Sequence, residues 1–171
     1  VSGVHIYATS LEYLSRIGNL QVVQSVSTAV KLLCEGECAQ YYHRFNFNLS
    51  VNDYWTIIHQ KTGSLFASAM ECGAILSKAS SPQITQCYQL GSFIGDLFQL
   101  TDDFLDIRGS KKLVGKPIQK DNKKGKSTLV SLMGYKKAHN YANNLKKKIL
   151  LKLKKHGKKA NELSNVIEFI F

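Results

Sequence analysis

Three aspartates, Asp102, Asp103 and Asp106, stand in residues 99–106 (QLTDDFLD) among Phe98, Leu100, Phe104 and Leu105. Ionised carboxylates in apolar company are costly unless a cation meets them. On a helix, Asp102 and Asp106 are four positions apart and Asp103 and Asp106 three, while Gln99 precedes Asp102 by three and Asp103 by four. All four side chains could therefore point into one cavity. Like charges this close call for a bound divalent cation or for facing bases. Oxygen-only donors favour Mg²⁺ over zinc, and Mg²⁺ takes one or two carboxylates together with waters and substrate phosphates. The plain alternative is a solvated acidic face. Against it stands the expected position near a helix C-terminus, where the macrodipole disfavours Asp.

A metal site that handles phosphates needs cations on its opposite wall. Lys61, followed by Thr62, falls inside the apolar run IIHQKTGSLFASAM. An unpaired ammonium there is expensive, so it either binds an anion or snorkels to, or pairs with, a glutamate. Lys116, Lys120 and Lys126 add charge in residues 108–126, where Gly115 and Gly125 let the backbone turn tightly. The spacing predicts a flexible basic loop over an anionic ligand.

The elements that must position these groups are helical. Apolar spacing close to 3.6 runs through nearly the whole chain, and no stretch alternates as a strand does. An all-α domain over 1–171 is expected, with helices over 2–16, 20–44, from Ser50 or Asn52 to about 78, and from Ser81-Pro82 to about 107. After the loop come a short helix near 127–133, a lysine-studded helix over 135–155, a break at Gly157 and a last helix over 160–171. The third and fourth helices are apolar on most faces, as the centre of a bundle would be.

Composition agrees with one globular domain: 171 residues, 44% hydrophobic, 20% charged, two prolines. No apolar run approaches the roughly 20 residues that cross a bilayer, and the start lacks a secretory layout, so a soluble, cytoplasmic protein is expected. The chain opens without Met and directly in a helical pattern, which predicts the back part of something longer. Cys34, Cys38, Cys72 and Cys87 lie in apolar-periodic segments with no paired metal spacing, and buried free thiols are expected. Charge is split: residues 1–107 carry −4 and residues 108–171 carry +15. Such a basic tail suits nucleic acid, an anionic membrane or a phosphorylated substrate.

Four ordered elements resemble the trans-isoprenyl diphosphate synthases, the polyprenyl synthetase family. QLTDDFLD at 99–106 resembles the second aspartate-rich motif, DDxxD. EGECAQ at 35–40, KTGSLF at 61–66 and GKPIQKDNKKGKSTLVSLMG at 115–134 are similar to further family segments. The EGE-x-x-Q element is closer to long-chain, octaprenyl-like members. The resemblance implies an isoprenoid-synthase helical bundle and head-to-tail elongation, in which an allylic diphosphate ionises and isopentenyl diphosphate attacks the carbocation. It implies Asp102 as a direct Mg²⁺ ligand, with Asp103 and Asp106 acting directly or through metal-bound water. It implies Lys61, Lys116 and Lys126 on the allylic diphosphate, Thr62 and Gln99 against the developing cation and pyrophosphate, and Phe98 on the cavity wall. A homodimer, with peripheral membrane association through the lipid product, belongs to the same expectation.

The departures also count. The family's first aspartate-rich motif and the groups that bind isopentenyl diphosphate have no match in this chain. At residues 2–14, SGVHIYATSLEYL is similar to the family's GDxLxxxA helix, with Val4 in place of Asp. Two alternatives stay open: a non-catalytic partner subunit that supplies half a site, and a basic helical module for membrane or nucleic acid. Aromatics are sparse among the lysines and no nucleic-acid motif appears, so no nucleic-acid partner is expected.

Overall fold

Local chemistry starts several of the helices. In the computed structural model, which describes residues 2–46, 48–113 and 127–171 and, within 108–113, the backbone alone, Asn19 accepts from the Val22 N–H to open α2 (Leu20–Tyr42). Ser50 accepts from the Asp53 N–H to open α3 (Val51–Ile58). Each such cap satisfies one of the donors that a helix start leaves orphaned. Thr128 and Ser131 form a reciprocal capping box for the short α6 (Leu129–Met133). The remaining helices are α1 (Ser2–Ile17), α4 (Ser64–Leu76), α5 (Ser81–Leu113), α7 (Tyr135–Lys154) and α8 (Asn161–Ile170), the last preceded by a 3₁₀ turn at Gly157–Ala160. The described residues contain no strand.

Helix α5 is the axis. It buries Leu90, Ile94, Leu97, Leu100, Phe104 and Ile107, a three-and-four spacing that runs down one stripe. Tyr54, Ile57 and Ile58 of α3, Leu129 of α6, and Ala138, Ala142, Leu145, Ile149 and Leu153 of α7 close over that stripe. Each large apolar side chain fully buried here contributes about 1.5–3 kcal/mol. On its other side α5 packs along α4, and α2 lies against α4. The α4–α5 approach is close: a Cβ on Gly91 would fall 2.8 Å from the Ala67 Cα.

Three expectations are corrected. The third helix is not continuous from 51 to 78. A π-helical turn, His59–Gly63, separates α3 from α4 and carries Lys61 and Thr62. The backbone of α2 presses on this turn, where a Cβ on Gly36 would stand 2.5 Å from the Lys61 amide nitrogen. Helix α5 continues past 107 to Leu113, so the aspartates lie within the helix and the end-of-dipole argument no longer applies to them. Glycine in a helix is a cost rather than a stop, so Gly109 did not end it. Helix α5 also begins without Ser81 as its cap: the Ser80 N–H and hydroxyl both donate to Gln83 Oε1 one residue earlier.

The cysteines differ too. Cys34 and Cys38 are exposed, and Cys72 and Cys87 half-buried. Cys34 and Cys38 share a face of α2 that nothing among the described residues covers. A periodic apolar face predicts burial only if a neighbour arrives to bury it.

Candidate active site

Helix α5 and the π-turn bring Thr62, Gln99 and the first two aspartates together. The Thr62 hydroxyl donates to Gln99 Oε1 at 3.0 Å. The Gln99 amide donates to Asp102 Oδ2 at 3.3 Å and to Asp103 Oδ1 at 3.1 Å. From α3, the Tyr54 hydroxyl donates to Asp103 Oδ2 at 2.8 Å. One hydrogen-bonded line thus joins the π-turn, α5 and α3. Thr62 belongs to the π-turn, and such turns recur at functional sites.

The three aspartates divide by environment. Asp103 is fully buried, 0% exposed, and both its oxygens accept hydrogen bonds. Asp102 and Asp106, one helical turn apart, are exposed. Gln99 and the three aspartates are therefore not all turned into one cavity. Asp102 opens onto a cleft of about 610 Å³, shared with Phe98, Thr101, Leu105, His139 and Phe171. Phe98 is 44% exposed there and packs on Phe66 with ring centroids 5.4 Å apart.

Lys61 faces α2. Its Nζ donates to Gln40 Oε1 at 2.6 Å and pairs with Glu37 Oε2 at 2.5 Å. The segment EGECAQ thus meets KTG side chain to side chain. The ammonium that the apolar run made expensive is held by a glutamate, one of the two outcomes its placement allowed. Lys116, Lys120 and Lys126, with the loop glycines, lie outside the described residues.

Tyr54 is the functional candidate that sequence reasoning missed. It reads as a core aromatic, and the signal that could have found it is a phenol that needs a partner once buried. Burial and the Asp103 carboxylate push its hydroxyl far above the ordinary tyrosine range, while the Leu129 backbone N–H acts in the opposite sense. The phenol is consequently a permanent donor to Asp103. A second polar contact lies on the far side of the π-turn: the buried Asp96 Oδ1 is 3.4 Å from His59 Nδ1, and Ser92 Oγ lies 2.9 Å from His59 Nε2. Asp96 Oδ1 has no well-aligned donor, so the contact is a loose one. Asp96, as acceptor first and as charge, still raises the His59 pKa against the opposing effect of burial.

The donor chemistry of the cluster fits Mg²⁺. Asp102 and Asp106 offer hard oxygen atoms on an accessible face. Among the described residues no three His, Cys, Asp or Glu side chains converge into a protein cage. Mg²⁺ does not need one, since it binds through one or two carboxylates and completes its shell with water and phosphate oxygens.

Comparison with known proteins decides the lineage. The polyprenyl synthetase family profile matches residues 1–170. The chain belongs to the polyprenyl synthetase family. Heptaprenyl diphosphate synthase component 2 of Geobacillus stearothermophilus is 32% identical over 128 residues, which are 75% of this chain and 40% of that protein. The octaprenyl diphosphate synthase of Escherichia coli K12 is 31% identical over 127 residues, 74% of this chain and 39% of that enzyme. The chain thus spans about 40% of the length of these curated relatives. In fold, a decaprenyl diphosphate synthase from Rhodobacter capsulatus superposes with a TM-score of 0.85 over 98% of this chain and 64% of that one, at 22% identity. The geranyltranstransferase of Thermotoga maritima superposes with 0.78 at 26% identity, over 97% of this chain and 59% of that one. The all-α expectation and the family resemblance both hold.

Proposed function

We propose that this chain carries the second aspartate-rich half of a polyprenyl diphosphate synthase, which condenses isopentenyl diphosphate head-to-tail with an allylic diphosphate. The observation that carries the reading is the line Thr62–Gln99–Asp102/Asp103–Tyr54, in a family member, beside a cleft walled by Phe98 and Phe171. Asp102 and Asp106 would hold Mg²⁺, which when bound neutralises the diphosphate leaving group. Asp103, buried and doubly hydrogen-bonded, serves in this reading to orient its neighbours rather than to meet the metal directly. Lys61 would leave Glu37 and Gln40 for the allylic diphosphate, aided by Lys116 and Lys126. The Thr62 hydroxyl and Gln99 carbonyl present neutral dipoles, and Phe98 an aromatic face, towards an allylic cation. An apolar wall also keeps water from the cation.

The activity belongs to the assembled enzyme, in which the first aspartate-rich motif comes from sequence outside this chain. Helix α1 supports an assembly: none of its residues is buried, and Val4, Ile6, Tyr13 and Ile17 are exposed apolar groups. A homodimer covering that face is part of the proposal. The decisive experiment is incubation of the complete enzyme with labelled isopentenyl diphosphate and an allylic starter, followed by chromatography of the products. Elongated polyprenyl diphosphates that require Mg²⁺, and their loss in Asp102→Ala, are expected. Unchanged turnover of Asp102→Ala at saturating Mg²⁺ would overturn the assignment.

A further inference from the structure

The outer face of α7 is used by nothing in the site above. From residue 135 to 161 the sequence holds ten lysines (136, 137, 146, 147, 148, 152, 154, 155, 158 and 159) and no Asp or Glu. The helix is firmly seated, because Ala138, Ala142, Leu145, Ile149 and Leu153 bury its inner stripe at three-and-four spacing. Its lysines are thereby presented on a rigid rod. Lys146 pairs with Glu168. Lys148 lays its ammonium over the Phe93 ring at 3.9 Å.

On the outward face, in the last turn of α7, stands Leu151, 66% exposed. Residues three and four positions away on a helix are its surface neighbours. Those positions are Lys147, Lys148, Lys154 and Lys155, all exposed. An apolar side chain flanked by Lys147, Lys154 and Lys155, with the Lys148 ammonium held over Phe93, suits neither bulk water nor a protein core. It suits an interface that is anionic at the headgroups and apolar just beneath them. Lys158 and Lys159 continue the positive surface into the 3₁₀ turn.

We infer that this face of α7, with Leu151 flanked by Lys147, Lys154 and Lys155, docks the protein on an anionic lipid bilayer. Charge complementarity supplies the attraction and Leu151 the insertion. No helix of the described residues is long and apolar enough to cross a membrane, so the contact is peripheral. A phosphate backbone would also attract the lysines, but it has no use for the leucine among them. The inference stands apart from the reading of the cleft, and its failure would leave that reading untouched.

Co-sedimentation of the full protein with phosphatidylcholine vesicles, and with vesicles that also contain phosphatidylglycerol, tests it. Binding to the anionic vesicles alone is expected, weakening as salt rises. Lys147→Glu/Lys154→Glu should weaken it about tenfold or more, and Leu151→Ser severalfold. The control Lys31→Glu/Lys78→Glu makes the same change in net charge elsewhere and should leave binding intact. Circular dichroism and melting of every variant show that the fold is kept. Absence of binding at low salt, equal losses in the control, or an unaltered Leu151→Ser with tighter binding to a single-stranded oligonucleotide would each overturn the inference.

Discussion

The Tyr54 hydroxyl and the Asp103 carboxylate meet at 2.8 Å across 49 positions of sequence, in the buried seam between α3 and α5. That bond makes the middle aspartate a structural anchor, with its neighbour Asp102 left facing the cleft. Tyr54→Phe removes a hydrogen-bond donor from a fully buried carboxylate. A loss of about 1–3 kcal/mol in urea unfolding is expected. Stability equal to that of the unaltered chain would mean that the phenol is incidental.

Gly95 permits the close approach of α5 to the π-turn, on which the Thr62–Gln99 bond depends. Its missing Cβ would meet the Gly63 Cα at 2.7 Å, and backbone cannot step aside as a side chain can. Gly95→Ala is expected to cost about 1–3 kcal/mol by overpacking and to lower activity in the complete enzyme as α5 and the π-turn part. Thermal melting and turnover measured together check this. A variant as stable as its parent would contradict the packing drawn here.

Lys61 offers a choice between structure and chemistry. If it serves the diphosphate, Lys61→Ala in the complete enzyme raises KM for the allylic substrate or lowers kcat, with kcat/KM falling about tenfold or more, ~1.4 kcal/mol. A lysine kept for its pairing with Glu37 and Gln40 would instead lower the melting temperature and leave the kinetics intact. Steady-state kinetics beside a melting curve separates the two.

His59 adds a pH dependence with a definite sign. Asp96 raises its pKa above the ordinary 6.5, so folding favours the protonated ring. The stabilisation is complete below 6.5 and is lost as pH rises through the higher folded value. With its side chain half-exposed, screening holds the effect under about 1 kcal/mol. Melting temperatures should fall slightly from the acid side of this window to about pH 8, and Asp96→Asn should flatten the slope. A rising slope in the unaltered chain would exclude the pair as its cause.

How much of this could be read in advance divides along physical lines. Apolar periodicity placed α1 and α2 close to their observed bounds, and of the two starts offered for the third helix, Ser50 or Asn52, Ser50 is the cap, because these features depend on neighbours a few residues away. The ordered segments at 35–40, 61–66 and 99–106 pointed to the family and to Thr62, Gln99 and Asp102 as companions. The π-turn at His59–Gly63 was not legible, since apolar spacing runs through it unbroken; it lies where Gly36 of α2 and Gly95 of α5 let their backbones come close. Nor was the burial of Asp103, whose donor Tyr54 belongs to another helix.

The sequence by itself determined an all-helical chain, its acidic and basic halves, and which residue types stand at helical spacing around residue 102. Only the tertiary structure decided which aspartate is buried, that Lys61 meets Glu37, and that Leu151 stands outward among lysines. Spacing along one helix sets which side chains share a face, whereas the environment of that face is made by elements far away in sequence.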